Sequence, residues 1–260
     1  MRLSDVSKLG GMFLLFALVG CAEEEGTTRE YIGPKGGTVV SSDGKLRLEV
    51  PAGVFAKDTE VVIEELDGKA PSGIGPGYRL RPQGVLSDVP VRLVFDKGEE
   101  SEVAVGVAST ESHDGWMVHL DAVFDRDNAT LTVETTQFTD WSVVQMFRVE
   151  PSEAKVRRGD TLLFDVRICL EDSETLFDGA TRAPVLATCT PWDLSDRVVG
   201  WEVNGVDGGH ERFGSVSGTG SRATYTPPEV VPDPAVVWVT ARLDIPGRPE
   251  GGLGSPVTIE

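Results

Sequence analysis

An all-β fold is predicted, arranged as two β-sandwich units in series. Three features predict it. Short apolar/polar alternations recur along the chain, turn residues punctuate them, and no window beyond the N-terminal segment carries a helical period. The clearest alternation is Lys45-Leu46-Arg47-Leu48-Glu49-Val50, with Leu46, Leu48 and Val50 on one face and charged residues on the other. Pro51-Ala52-Gly53 ends it, because proline cannot donate to a ladder and glycine tolerates a tight bend. The 260 residues include 30 glycines and 16 prolines for turns, and their 40% hydrophobic content is enough to build cores.

Taken in order, the chain begins with Arg2 and Lys8, then an apolar run from Met12 to Val19, then Leu18-Val19-Gly20-Cys21. The run is about eight to ten residues, within the range of a signal peptide and short of the roughly 20 a spanning helix needs. Leu18-Val19-Gly20-Cys21 resembles the lipobox of bacterial lipoproteins. That resemblance implies a signal peptide over residues 1–20, a diacylglyceryl group on the Cys21 sulfur and a chain held outside the cytoplasm by lipid. More than one acyl chain makes such an anchor stable. Ala22 stands where enteric bacteria place an inner-membrane retention aspartate, so an outer-membrane or cell-surface address is favoured. Residues 21–30, acidic and small, are expected to form a flexible tether.

From Thr38 onward strands are expected at Lys45–Val50, Glu60–Glu65, Tyr78–Arg81, Val91–Phe95, Val103–Ala108, Trp116–Leu120, Leu131–Thr135 and Trp141–Gln145. Asp67-Gly68, Pro76-Gly77, Lys97-Gly98, Asp114-Gly115 and Asp127-Asn128 separate them as turns. A second series begins near Phe147. Leu162, Phe164, Val166 and Ile168 share one face, Val199, Trp201 and Val203 follow, then Ala223–Thr226, and finally Val237, Val239, Ala241 and Leu243. About seven short strands in a little over 110 residues is an immunoglobulin-like signature, and Trp201 suits the buried tryptophan of its third strand. The stretch from Leu170 to Arg197 is far longer than a usual strand connection and reads as a loop, acidic at first. Its aromatic residues Phe177 and Trp192 are the candidate binding residues.

Gly36-Gly37-Thr38-Val39, the strand Leu46–Val50 with Pro51-Ala52-Gly53-Val54-Phe55, Val61-Val62-Ile63, Tyr78-Arg79-Leu80-Arg81-Pro82 and Pro90-Val91-Arg92-Leu93 together resemble a ZU-five domain. Residues 31–146 are assigned to it, and the resemblance implies an all-β fold, a role in protein interaction and no catalytic site. Residues 147–260 resemble a bacterial immunoglobulin-like domain through Gly159-Asp160, Trp201-Glu202-Val203-Asn204-Gly205 and Ala223-Thr224-Tyr225-Thr226-Pro227-Pro228. Some ZU-five proteins cleave their own backbone at a His-Phe-Ser sequence. Here the matching residues are Gln137-Phe138-Thr139, which keep a hydroxyl but lack the histidine base, normally worth about 10²–10⁴-fold. An ordinary strand end is the favoured reading.

The remaining chemistry is sparse. A net charge of −18, or about −19 once Arg2, Lys8 and Asp5 leave with the signal peptide, repels nucleic acid. With Cys21 lipidated, Cys169 and Cys189 form an even pair in an oxidising compartment and are expected to bond, clipping one loop. Asp125-Arg126-Asp127-Asn128 opens like a calcium loop, but Ala129, Thr130 and Thr136 occupy positions that such a loop gives to a ligand oxygen, glycine and glutamate, so a hairpin turn is expected. No metal or cofactor site is expected. The function expected is that of a non-catalytic, lipid-anchored interaction or scaffold protein, with a protein or a cell-envelope polysaccharide as partner. The alternatives are self-cleavage near Phe138-Thr139 and carbohydrate binding.

Overall fold

Alternating apolar residues give the first half of the chain eleven strands: β1 (Thr27–Ile32), β2 (Gly37–Val40), β3 (Leu46–Val50), β4 (Thr59–Leu66), β5 (Gly73–Val85), β6 (Val91–Asp96), β7 (Val105–Glu111), β8 (Gly115–His119), β9 (Val123–Asp125), β10 (Thr130–Thr135) and β11 (Gln137–Gln145). The second half adds β12 (Phe147–Glu150), β13 (Ala154–Val156), β14 (Leu162–Leu170), β15 (Arg182–Pro191), β16 (Val198–Val203), β17 (Val206–Asp207), β18 (Gly209–His210), β19 (Gly214–Thr219), β20 (Arg222–Thr226), β21 (Val236–Leu243) and β22 (Gly251–Ile259). This computed structural model describes residues 25–67, 70–85, 87–98, 100, 103–111, 115–171, 179–191, 195–246, 248 and 250–260. Cys21, Phe177 and Trp192 lie outside them.

The described chain is all-β, in three sheets. A five-stranded sheet in the order β2-β3-β6-β10-β9 covers the first half of a larger sheet. Their shared core is aromatic and branched. Tyr78 meets Phe95 at 6.2 Å between ring centroids, and Phe95 meets Trp141 at 6.5 Å. Leu46, Leu48, Ile63, Leu80 and Leu93 are fully buried around them. Gly36 holds the first corner with φ of 77°, a left-handed conformation that side chains with a Cβ resist. A Cβ there would also sit 2.2 Å from the Val50 carbonyl oxygen.

A second five-stranded sheet, β13-β22-β21-β16-β17, covers the other half. Trp201 is buried as its sequence context predicts. It packs on Phe164 at 6.3 Å and donates its Nε1 hydrogen to the Gly220 carbonyl.

The large sheet has twelve strands. Its path is β1-β4-β5-β11-β7-β8-β15-β14-β20-β19-β18, with β12 also on β14. Three sequence expectations change here. Pro76-Gly77, expected as a turn, lies inside β5, where Gly77 is matched to Leu66 and Ser142. Strand pairing begins at Thr27, so the last part of the expected tether is an edge strand, matched to β4 from Thr27↔Glu64 to Ile32↔Thr59. The long connection after Leu170 is not merely a loop, because ten of its residues form β15. On one side β15 pairs with β8 through Arg182↔His119, Ala183↔Val118 and Pro184↔Met117. On the other it pairs with β14 through Arg167↔Pro191, Ile168↔Thr190 and Leu170↔Val185. One strand therefore joins the two halves into a single sheet.

Candidate functional site at the sheet seam

Chemistry-bearing side chains gather where β15 meets its neighbours. Cys169 and Cys189 are bonded, with Cα atoms 4.0 Å apart. The bridge ties adjacent strands at an irregularity: between Ile168↔Thr190 and Leu170↔Val185, β14 has one residue and β15 has four. The parity of the strand suggests that Cys169 points away from the core, yet it is fully buried, as are Ile168 and Leu170. Both faces of β14 are covered here. From the first half, Ser72 donates its hydroxyl to the Leu186 carbonyl at 3.3 Å and lies 3.8 Å from the Cys189 sulfur. The Cys169 amide donates to the Met146 carbonyl. The bond thus closes a strand pair at the junction of the halves, not the neck of a free loop.

One register step away, Ser109 and His119 are diagonal neighbours on β7 and β8. The Ser109 hydroxyl and His119 Nε2 are 2.9 Å apart, and Asp121 Oδ1 lies 4.0 Å from Nδ1. The order serine–histidine–aspartate invites comparison with a nucleophilic triad. The surroundings argue for a structural role. Ser109 and His119 are each 1% exposed, and the Trp141 ring lies 4.9 Å from the imidazole. A substrate carbonyl has no approach to that hydroxyl. Burial first, then the Arg182 charge, pushes the His119 pKa down to about 4, while Asp121 opposes the shift. His119 is neutral at pH 7, as a core hydrogen-bonding group should be.

A second contact crosses the junction beside it. The Arg248 guanidinium, on the connection from β21 to β22, donates from Nη1 to the Val105 carbonyl at 2.7 Å. Arg126 reaches the Glu250 carbonyl from the other side at 3.4 Å. Enclosure lowers the Arg248 pKa to about 10, which leaves it charged at neutral pH.

No known protein-family model matches the chain, and no curated protein matches it in sequence. The site is therefore read from its own geometry. Thr139 sits on β11 with its hydroxyl 2.6 Å from that of Thr110 and donates to the Thr110 carbonyl at 3.1 Å. That hydrogen bond crosses to β7 and engages the hydroxyl that self-cleavage would need as nucleophile. Beside it, Asp140 makes a two-pronged ion pair with Arg79, each contact 2.8 Å. Asp125 uses its carboxylate on the Asp127 and Asn128 amides and the Asn128 side chain, which is turn chemistry. Among the described residues no cluster of three or more His, Cys, Asp or Glu could hold a metal ion.

The Ser109–His119 pair was not legible in the sequence. A two-residue turn at Asp114-Gly115 would oppose Thr110 to His119, whereas the observed register pairs Glu111 with Gly115 and Ser109 with Met117, which brings Ser109 and His119 to one face.

Proposed function

We propose that the chain is a lipid-anchored extracytoplasmic interaction scaffold: a signal peptide over 1–20, an acyl anchor at Cys21, a ZU-five-like unit over 31–146 and an immunoglobulin-like unit over 147–260. The observation that carries this reading is the seam. One strand joins two β units into one continuous sheet, a disulfide ties that strand to its neighbour β14, and a half-buried arginine bonds across the junction, which suits a part that must present surfaces in a fixed relation. The bonded cysteines support an oxidising compartment outside the cytoplasm. The first strand begins at Thr27, six residues after Cys21, so the body would stand close to its anchor. Burial of Ser109 and commitment of the Thr139 hydroxyl weigh against the catalytic alternatives.

The test is Cys21→Ser in the producing cell. The variant is expected to incorporate no labelled fatty acid and to leave the membrane fraction, and the mature wild type should run as one chain of full mass. Equal labelling of the variant, or two fragments split at Phe138-Thr139, would overturn the reading.

A further inference from the structure

We propose that the outer face of the β13-β22-β21-β16-β17 sheet is a glycan-binding platform, with Trp238 as its stacking ring and a flat, uncharged β-1,4-linked polysaccharide as its ligand. The proposal rests on the reading of the chain as an interaction module and names what that module holds.

The alternation of β21 sends Val237, Val239, Ala241 and Leu243 into the core and Val236, Trp238, Thr240 and Arg242 outward. Trp238 is 52% exposed, although a large apolar ring on a strand is normally covered. It is supported on its sheet side. Gly254 is on β22 next to it, and a Cβ there would lie 3.0 Å from Cε3 and 3.3 Å from Cζ3 of the indole. The six-membered part of the ring thus occupies space that any other residue at position 254 would fill. Gly252 does the same for Thr240, whose methyl would be 2.6 Å from a Cβ. Two glycines on one strand keep this face low and let the side chains of β21 lie across it.

Asn204 fixes the strand under the ring, since its Oδ1 accepts the Trp238 amide at 2.8 Å and its own amide donates to the Trp238 carbonyl. The next row along the sheet holds Asp207, Glu202, Thr240 and Gly254 in register. Beyond it stands Arg242, with Asp207 and Glu250 each 3.9 Å from its guanidinium. Residues two apart on a strand are about 6.6–6.8 Å apart, so Trp238 to Arg242 spans about 13 Å, the reach of a short oligosaccharide.

The chemistry selects among occupants. A pyranose offers an apolar C–H face to an aromatic ring and a rim of hydroxyls that both donate and accept. This face supplies the ring, then carboxylates, a hydroxyl and a guanidinium as partners. Nucleic acid also stacks on aromatic rings, but Glu202, Asp207 and Glu250, on a chain of net charge −18, repel its phosphates. An anionic membrane surface is repelled in the same way. A protein partner would need a broader apolar centre than one ring beside Val236 among charged groups. A β-1,4-linked chain is an extended ribbon and can follow the row from Trp238 through Thr240 to Arg242 along β21, whereas an α-linked glucan coils away from it.

The experiment titrates the full chain with cellohexaose, chitohexaose and maltohexaose, following tryptophan emission and heat. At least one β-1,4-linked hexaose is expected to bind, and maltohexaose is expected not to. Trp238→Ala should weaken binding by about tenfold or more, as truncation of a central aromatic anchor does. Gly254→Val, which keeps the ring but tilts it off the sheet, should weaken it as well. Both changes are on the surface, and an unaltered melting temperature shows that the fold is kept. Binding of neither β-1,4-linked hexaose, binding untouched by Trp238→Ala, or loss of a protein partner and not of sugar in that variant would overturn the platform. Membrane association through Cys21 is measured separately, so a chain that stays anchored without binding sugar sinks this inference alone.

Discussion

Acidification should loosen this protein through a single buried imidazole. An unfolded histidine takes up a proton near pH 6.5, whereas burial and the Arg182 charge hold His119 neutral in the fold down to about pH 4. Between those values the unfolded state binds one more proton, so stability falls as the pH falls. The contribution is fully present above pH 6.5, declines through the window and is lost below about pH 4. A depression from 6.5 to about 4, at about 1.4 kcal/mol per pH unit, gives about 3.5 kcal/mol in full, of which about 3 kcal/mol is lost by pH 4. At about 2–4 °C per kcal/mol for a chain of this size, the melting temperature should drop by about 6–12 °C between pH 7 and pH 4. Burial pushes the Asp43 carboxyl up, but bonds from Ser41, Lys45 and Tyr78 together outweigh it and hold the carboxyl below its ordinary value, so it adds its own loss only below that window. The assay is calorimetric melting across the pH series for wild type and His119→Asn. The variant should start less stable, with a flatter acid limb. A flat wild-type curve between pH 6.5 and 4.5, or an equal slope in both proteins, would refute the assignment.

Two further outcomes are expected. Changing Cys169 and Cys189 together to serine removes a bridge across 20 residues of sequence and should cost about 3 kcal/mol. Amide exchange should quicken first in β15 and in its partner β8, and exchange confined to residues 171–181 would contradict that placement. Gly36→Ala meets both a positive φ and main-chain atoms of Val50, Pro51 and Ala52 within 3 Å, so a loss of about 2–5 kcal/mol is expected in urea unfolding. An unchanged midpoint would show that the corner can open.

Where side chains alternate and one face meets a core, the sequence was legible. Leu46, Leu48 and Val50 are buried as their pattern demands, Trp201 is a core residue, and the acid-rich turn after Asp125 closes a hairpin. β1 was not legible because an edge strand needs little apolar content. Its residues Thr27-Thr28-Arg29-Glu30-Tyr31 are polar or exposed, and only Ile32 is buried. β15 was hidden for the opposite reason. Pro184 and Pro191 argue against a central strand, since neither can donate to a ladder. The strand persists because Glu171 donates to the Pro184 carbonyl and both neighbours pair with what remains. At the seam, the pairing of two cysteines could be inferred by counting, but not their burial, which depends on Ser72 and Met146 from the other half of the chain. Trp238 is not legible as a site, because the alternation of β21 identifies the buried face of Val237 and Val239 and says nothing of what its outward face meets.

The shared sheet also sets an order of events in folding. Synthesis proceeds from the N terminus, so β8 emerges long before Ala183 can pair with Val118. Until then the first half carries a bare edge along Met117, Val118 and His119, with unpaired backbone groups open to another chain. Contacts so distant in sequence also close slowly. A fragment ending at residue 146 would keep that edge permanently, and self-association through β8 is the behaviour expected of it. The halves look like modules in sequence, but the first needs a strand from the second to finish its surface.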